Sequence, residues 1–272
     1  MKRTALVLGA GGITGVAWQL GILIGLRRRG VDVARADRIV GTSAGALTGA
    51  LIATGVEPER AAAVEAHGFG TIRPDWERGA QALALLNDET LDARAIRAGV
   101  GSLAVAADVG DEEPYVASMA RRLPVHDWPA PGRLSITAVD TTTGDLVVWD
   151  GAGSVPLVRA VAASCAVPCV LPAVTVAGQR YMDGGVRSYT NADLVADADA
   201  VVVIAPRNPL RARRIATDDE GDPDRVLVVK PDAASVDAVG QNVFDVSRWP
   251  PTLGAGIAQG ESLASRIAAH LA

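Results

Sequence analysis

Short apolar runs closed by glycine, each followed by an apolar stretch of helical period, set the rhythm of the first fifty residues. "TALVL" at 4–8 reads as a buried strand. Val16, Leu20, Leu23 and Leu26 then recur at helical spacing as far as Gly30, with Arg27, Arg28 and Arg29 suited to the negative end of a helix. The unit repeats. "RIV" at 38–40 is a second strand and Ser43 to Thr54 a second helix, in which Gly45, Gly49 and Ala53, spaced by four, let the helix lie close on a sheet. Two such units in succession predict parallel strands joined by helical crossovers.

From Glu57 to about Pro131 the pattern becomes charged and helical, broken by Gly, Pro and "GDEEP", which predicts a cap-like helical excursion. Beyond it, "RLSITAVD" and "DLVVWD" flank a Thr-Gly turn as a hairpin. "PLVRAVAASCAVP" is a helix stopped by Pro168, and "VTVAGQRYMDGG" is a hairpin ending at glycines. "ADAVVVIAP" and "DRVLVVKPD" read as buried strands around a polar loop at 207–223, and a helix from Leu253 closes the chain. With no internal repeat or low-complexity linker, residues 1–272 are expected to form a single α/β domain.

Composition narrows the class. A chain of 272 residues with 49% hydrophobic and 21% charged residues can bury one large core. The net charge of −5 and three separate arginine clusters, at 27–29, 121–122 and 211–214, leave no broad basic face, so nucleic acid is not expected as a partner. Cys165 and Cys169 are too few for a disulfide framework and lack metal-ligand spacing; they read as reduced, buried thiols, with no metal site. The basic, apolar N-terminus imitates a signal peptide, but glycines between Gly9 and Gly15 interrupt it. The run from Gly15 to Leu26 contains Gln19 and is shorter than the ~20 residues that span a bilayer, so a cytoplasmic location is expected.

The chemistry concentrates in three glycine-containing stretches. Gly41-Thr42-Ser43-Ala44-Gly45 fits the G-x-S-x-G elbow, in which a sharp strand-to-helix turn exposes a serine oxygen at a helix N-terminus. "GAGGITG" fails as a dinucleotide fingerprint because Thr14 stands where the third glycine belongs, and it lacks the Gly-Lys-Ser/Thr ending of a P-loop. Its amides, at Gly11 and Gly12 especially, suit an oxyanion hole; a tight turn joining strand to helix is the plainer reading. For a base there are three histidines, His67, His126 and His270. His270 is the natural candidate in the chain order of an α/β-hydrolase triad, but it sits on the last turn of a terminal helix. "YMDGGV" offers Asp183 instead, a carboxylate approachable past Gly184 and Gly185, although Asp-Gly also makes a simple Asx-type turn.

Together these stretches resemble the patatin-like phospholipase family. Its Gly-Gly-Gly-x-Arg/Lys-Gly loop is similar to Ala10 through Gly15, its G-x-S-x-G to Gly41 through Gly45, its D-G-G/A to Asp183-Gly184-Gly185, and its Ala-Ser-x-Ala-x-Pro run to "ASCAVP". The likeness covers about residues 4–205, with the four motifs in order. It implies a three-layer α/β/α fold with a mostly parallel central sheet. It also implies a serine acyl hydrolase acting on lipid esters, phospholipase A- or lipase-like, without a cofactor. In that likeness Ser43 is the nucleophile that becomes acylated, Asp183 the general base, and Gly11, Gly12 and Ile13 the oxyanion hole; Gly41, Gly45, Thr14, Gly15, Gly184 and Gly185 complete the motifs. Partners would be lipid or other acyl esters, with room for transient membrane-surface contact. Trp76 and Trp128 are candidates to line or cover the apolar site. Ala10 replaces a usual glycine and Thr14 the usual basic residue, which removes a positive charge near the oxyanion. That departure keeps alive a catalytically weak lipid-binding or regulatory protein; a dinucleotide-binding oxidoreductase is the remaining alternative.

Overall fold

The structure is a computed structural model that describes residues 2–65, 72–206, 222 and 224–272; His67, the arginine run at 211–214 and most of the polar loop at 207–223 lie outside the described residues. Among the described residues, eight strands form one sheet. They are β1 (Thr4–Leu8), β2 (Arg38–Gly41), β3 (Leu134–Asp140), β4 (Leu146–Trp149), β5 (Val174–Val176), β6 (Gln179–Asp183), β7 (Ala200–Ile204) and β8 (Val226–Val229). Their order is β5-β6-β3-β2-β1-β7-β8, with β4 also paired to β3. The stretch from β3 to β8 is parallel, and β4, β5 and β6 are antiparallel to their neighbours. Both expected hairpins form, β3–β4 and β5–β6.

The helices are α1 (Gly12–Arg28), α2 (Ala44–Ala53), α3 (Pro58–Glu65), α4 (Trp76–Leu86), α5 (Ala93–Ala106), α6 (Glu112–Ala120), α7 (Leu157–Ser164), α8 (Ala233–Val239) and α9 (Trp249–Leu271). Alternation along β1 divides them into layers. Leu6 and Leu8 enter the large core shared with α1, α2, α6, α7 and α9, whereas Ala5 and Val7 enter a smaller core on the other face, beneath residues 192–198. On that second face α4 and α5 cover Val139 of β3 and Met182 of β6. The architecture is therefore three-layered, as the resemblance implied, and the helices of the stretch after Glu57 are shared between the two faces.

Helix α1 is buried on all sides from Ile13 to Leu26. Such a helix belongs in the middle of a layer, and here α9 covers it. The two approach closely enough that a Cβ on Gly25 would stand 2.2 Å from the Ile257 carbonyl oxygen. The N-terminal apolar run is thus a core helix; among the described residues no helix is long and apolar enough to cross a membrane. Two elements depart from the pattern. Helix α8 carries too little periodicity to be read, and α9 starts at Trp249, four residues before the expected Leu253, because Pro250 and Pro251 fall in its first turn, where no amide donor is needed.

The register of β3 decides where the site forms. On one edge β4 pairs with Ile136 to Val139. The other edge is shared: β2 runs parallel beside Leu134 to Ile136, and β6 runs antiparallel beside Ala138 to Asp140. Strands β2 and β6 therefore point at each other along a single edge. Their last residues, Gly41 and Asp183, face β3 positions two apart, Ile136 and Ala138, roughly 7 Å along the strand.

Candidate active site

Ser43 lies two residues past the end of β2, at the turn into α2, with φ 55 and ψ −118. A positive φ in a non-glycine residue costs on the order of 1–3 kcal/mol and persists only where its surroundings hold it. Four hydrogen bonds do so. The Ser43 N–H donates to Ser164 Oγ at 2.9 Å, and the Ser43 carbonyl accepts from the Cys165 thiol at 3.1 Å and from the Ala46 N–H at 2.8 Å. The Gly45 N–H donates to the Gly9 carbonyl at 3.2 Å, tying the elbow to the first glycine loop. Ser164 and Cys165 belong to the "ASCAVP" run, whose sequence gave no sign of this role. Both cysteines are buried thiols outside any disulfide.

Asp183 ends β6 and is only 5% exposed. Its Oδ1 accepts the Gly185 N–H at 2.7 Å, so the Asx-type turn is real. Ser43 also sits beside the carboxylate and favours its charged form, so the turn and the pairing coexist. Gly184 is required between them: a Cβ there would meet Thr137 Oγ1 at 2.4 Å. Burial raises the Asp183 pKa from 3.8 to about 7, with the Ser43 hydroxyl and the Gly185 amide opposing the rise. A buried polar network then locks the aspartate-bearing segment onto the elbow. Asn191 Nδ2 donates to Thr42 Oγ1 at 3.0 Å and to the Ser188 carbonyl at 2.9 Å, and Thr42 Oγ1 bonds Thr137 Oγ1 at 2.9 Å. Thr42 and Ser164 lie inside the motifs without a role of their own there, and Thr137 and Asn191 lie outside them, because each is an ordinary polar residue until the sheet brings it here.

The first glycine loop arrives as the N-terminal turn of α1. Among the described residues the amides of Gly11, Gly12 and Ile13 have no acceptor, and the same holds for Ala44 at the start of α2. Gly12, Ser43 and Ala44 line one pocket, so Gly12 and the unanticipated Ala44 are the amides placed beside the serine, between two converging helix N-termini. Thr14 does not contribute its amide, which is committed to the Val243 carbonyl at 3.1 Å; its hydroxyl is fully buried without a partner. The Gly15 N–H closes the turn on the Gly11 carbonyl at 2.9 Å. The loop is also covered: a Cβ on Gly11 would lie 2.5 Å from Pro206 Cβ, and one on Gly12 2.8 Å from Val243.

The pocket beside Ser43 is a small cavity of about 20 Å³ with apolar walls from Val16, Leu47, Val167, Leu171 and Phe244. Neither tryptophan is among them. Trp128 donates its indole N–H to the Val155 carbonyl at 2.7 Å, and Trp76, at the start of α4, is 79% exposed. His270 bonds the Val201 carbonyl, near the end of β7 away from the site, and His126 bonds the Ala120 carbonyl. Among the described residues no three His, Cys, Asp or Glu side chains gather as a metal site.

Fold and geometry together define an α/β protein with a mostly parallel sheet and a buried Ser–Asp pair at a strained strand-to-helix elbow. The model of the patatin-like phospholipase family matches residues 6–196, well over half of the chain, and the protein belongs to that family of lipid hydrolases. Among solved structures, VipD from Legionella pneumophila is similar at 13% identity and a TM-score of 0.50, over 98% of this chain and 67% of that one. The type III effector protein ExoU is similar at 17% identity and a TM-score of 0.44, over 99% of this chain and 52% of that one. This chain thus spans about two thirds and about half of their lengths. No curated protein matches it.

Proposed function

We propose that the protein is a serine acyl hydrolase that cleaves carboxylic esters of lipids through Ser43 and Asp183. The observation that carries the reading is a buried carboxylate beside a serine on a strained elbow, its pKa raised by burial to about 7. A base with its pKa near the working pH is best matched to proton transfer. In the first half-reaction Ser43 Oγ attacks the ester carbonyl while Asp183 takes its proton. The Gly12 and Ala44 amides, with Gly11 and Ile13 behind them, stabilise the oxyanion. Collapse expels the alcohol, which leaves with the proton from Asp183, and Ser43 remains acylated. Water then gives a proton to Asp183 as it attacks the acyl-enzyme, and collapse passes that proton from Asp183 to Ser43 Oγ, releasing the acid and restoring the serine hydroxyl.

The test is chemical. A fluorophosphonate probe is expected to add to Ser43, located by peptide mass spectrometry, and p-nitrophenyl butyrate to be turned over. A protein left unlabelled and inactive refutes the proposal. A second reading, a lipid-binding protein with little turnover, is favoured by the neutral, committed Thr14 where the family has a cation; labelling of Ser43 without multiple turnovers would support it.

Ser164 is a positioning residue in this scheme. Ser164→Ala strands the buried Ser43 N–H, at a cost of about 1–3 kcal/mol. The expected result is a fall in kcat of roughly ten- to a hundredfold with KM little changed, read from steady-state kinetics. A change confined to KM would show that Ser164 serves binding instead.

A further inference from the structure

We infer that the esters this site accepts carry short acyl groups, and that Phe244 sets the length limit. The inference rests on the reading of Ser43 as nucleophile and adds to it the size of the acid. The pocket at Ser43 is lined by alkyl and aromatic groups apart from the serine hydroxyl and the Cys165 thiol, and that thiol is engaged by the Ser43 carbonyl. Such walls suit the hydrocarbon that stays on the serine, not a polar leaving alcohol. Yet the cavity is small, about 20 Å³, far under the ~300–1,000 Å³ typical of ligand pockets. Val16 of α1 and Leu47 of α2 line it together with Phe244, which comes from the loop before the last helix.

Phe244 is not a loose flap. Its N–H donates to Asn242 Oδ1 at 3.0 Å in an Asx turn, and the Asp245 N–H returns to the Asn242 carbonyl at 3.1 Å. The preceding residue, Val243, accepts the Thr14 N–H from the first turn of α1 and packs where a side chain on Gly12 would stand. Asp245 caps the short 3-10 turn Val246–Arg248, and the next residue, Trp249, is buried in the core. The backbone that carries the Phe244 ring is thus braced from both sides, and its ring packs against the core. The segment also lies beyond the span matched by the family, residues 6–196, so family membership does not dictate what stands here.

The experiment uses p-nitrophenyl acetate, butyrate, octanoate and laurate with the full chain, its Phe244→Ala and Phe244→Leu variants, and fluorophosphonate labelling of each. Wild type is expected to prefer butyrate over laurate by at least about tenfold in kcat/KM. Phe244→Ala is expected to raise the octanoate-to-butyrate ratio by about tenfold or more, and Phe244→Leu by less, since a methylene that fits or fails to fit is worth about tenfold or more. The ratio is read within each variant, and labelling of Ser43 shows that each has folded. A wild type that prefers laurate, or a ratio unmoved in labelled variants, overturns the inference while leaving the hydrolase reading standing. Loss of labelling in wild type overturns the reading itself.

Discussion

Asp183→Asn is expected to lower kcat/KM for an ester by roughly 10³- to 10⁴-fold and, in the same protein, to raise the melting temperature at pH 8. The two effects share one cause. The carboxylate is buried and titrates near 7 rather than 3.8 because the folded protein disfavours its charge. Between about pH 4 and 7 the folded chain keeps a proton that the unfolded chain has lost. Stability contributed by this group therefore declines as pH rises through that window, by up to 1.36 kcal/mol per unit and about 4 kcal/mol in all, and is level above it. Asparagine is neutral throughout and keeps an acceptor for the Gly185 amide, so it removes the decline. Thermal melts at pH 5 and pH 8 should show the variant gaining on wild type at the higher pH alone. In wild type the sign for activity is opposite: kcat/KM rises about tenfold per pH unit up to an apparent pKa of about 7 and is flat beyond, because only the ionised carboxylate accepts the serine proton. A flat profile from pH 5 to 8, or an Asn variant that keeps its rate, would remove Asp183 from the mechanism.

Gly45→Ala is expected to disrupt the fold, whereas Gly49→Ala, one turn further along α2, is not. A Cβ on Gly45 would stand 1.9 Å from the Leu8 carbonyl oxygen, and β1 cannot retreat because β2 and β7 pair with it on either side. Overpacking against backbone costs more than the 1–3 kcal/mol usual for cores, so a loss of roughly 10 °C in melting temperature is the least expected. At Gly49 the nearest atoms are Ile39 Cγ2 and Leu134 Cδ1, both at 3.3 Å. These flexible side-chain ends can give, and alanine favours the helix by up to ~1 kcal/mol, so little net change follows. Calorimetry on both variants settles it; equal melting temperatures would show that the helix is not held where the structure puts it.

The pair also shows what spacing reveals and what it hides. Gly45, Gly49 and Ala53 announce a helix lying close on a sheet, but only the packed distance singles out Gly45. The same holds around the site. Ser43 declares itself through Gly41 and Gly45, and Asp183 through Gly184 and Gly185, because strained or crowded backbone demands glycine at fixed offsets. Ser164, Thr42, Thr137 and Asn191 carry no such mark: a hydroxyl or an amide meets local rules almost anywhere, and its partner is known only when distant segments meet.

What the sequence by itself determined is therefore local: the apolar periods that make β1, α1, β2 and α2, the glycines that shape the elbow and the loop, and the scarcity of histidine that turned attention to a carboxylate. Only the tertiary structure decided that β2 and β6 share one edge of β3 and meet end to end. It alone decided that Asp183 loses its water and titrates near 7, that Ala44 joins Gly12 at the serine, and that Phe244 returns from near the C-terminus to close the pocket. Periodicity and turn chemistry act over a few residues, whereas register, desolvation and cavity size are properties of surfaces assembled from segments far apart in the chain.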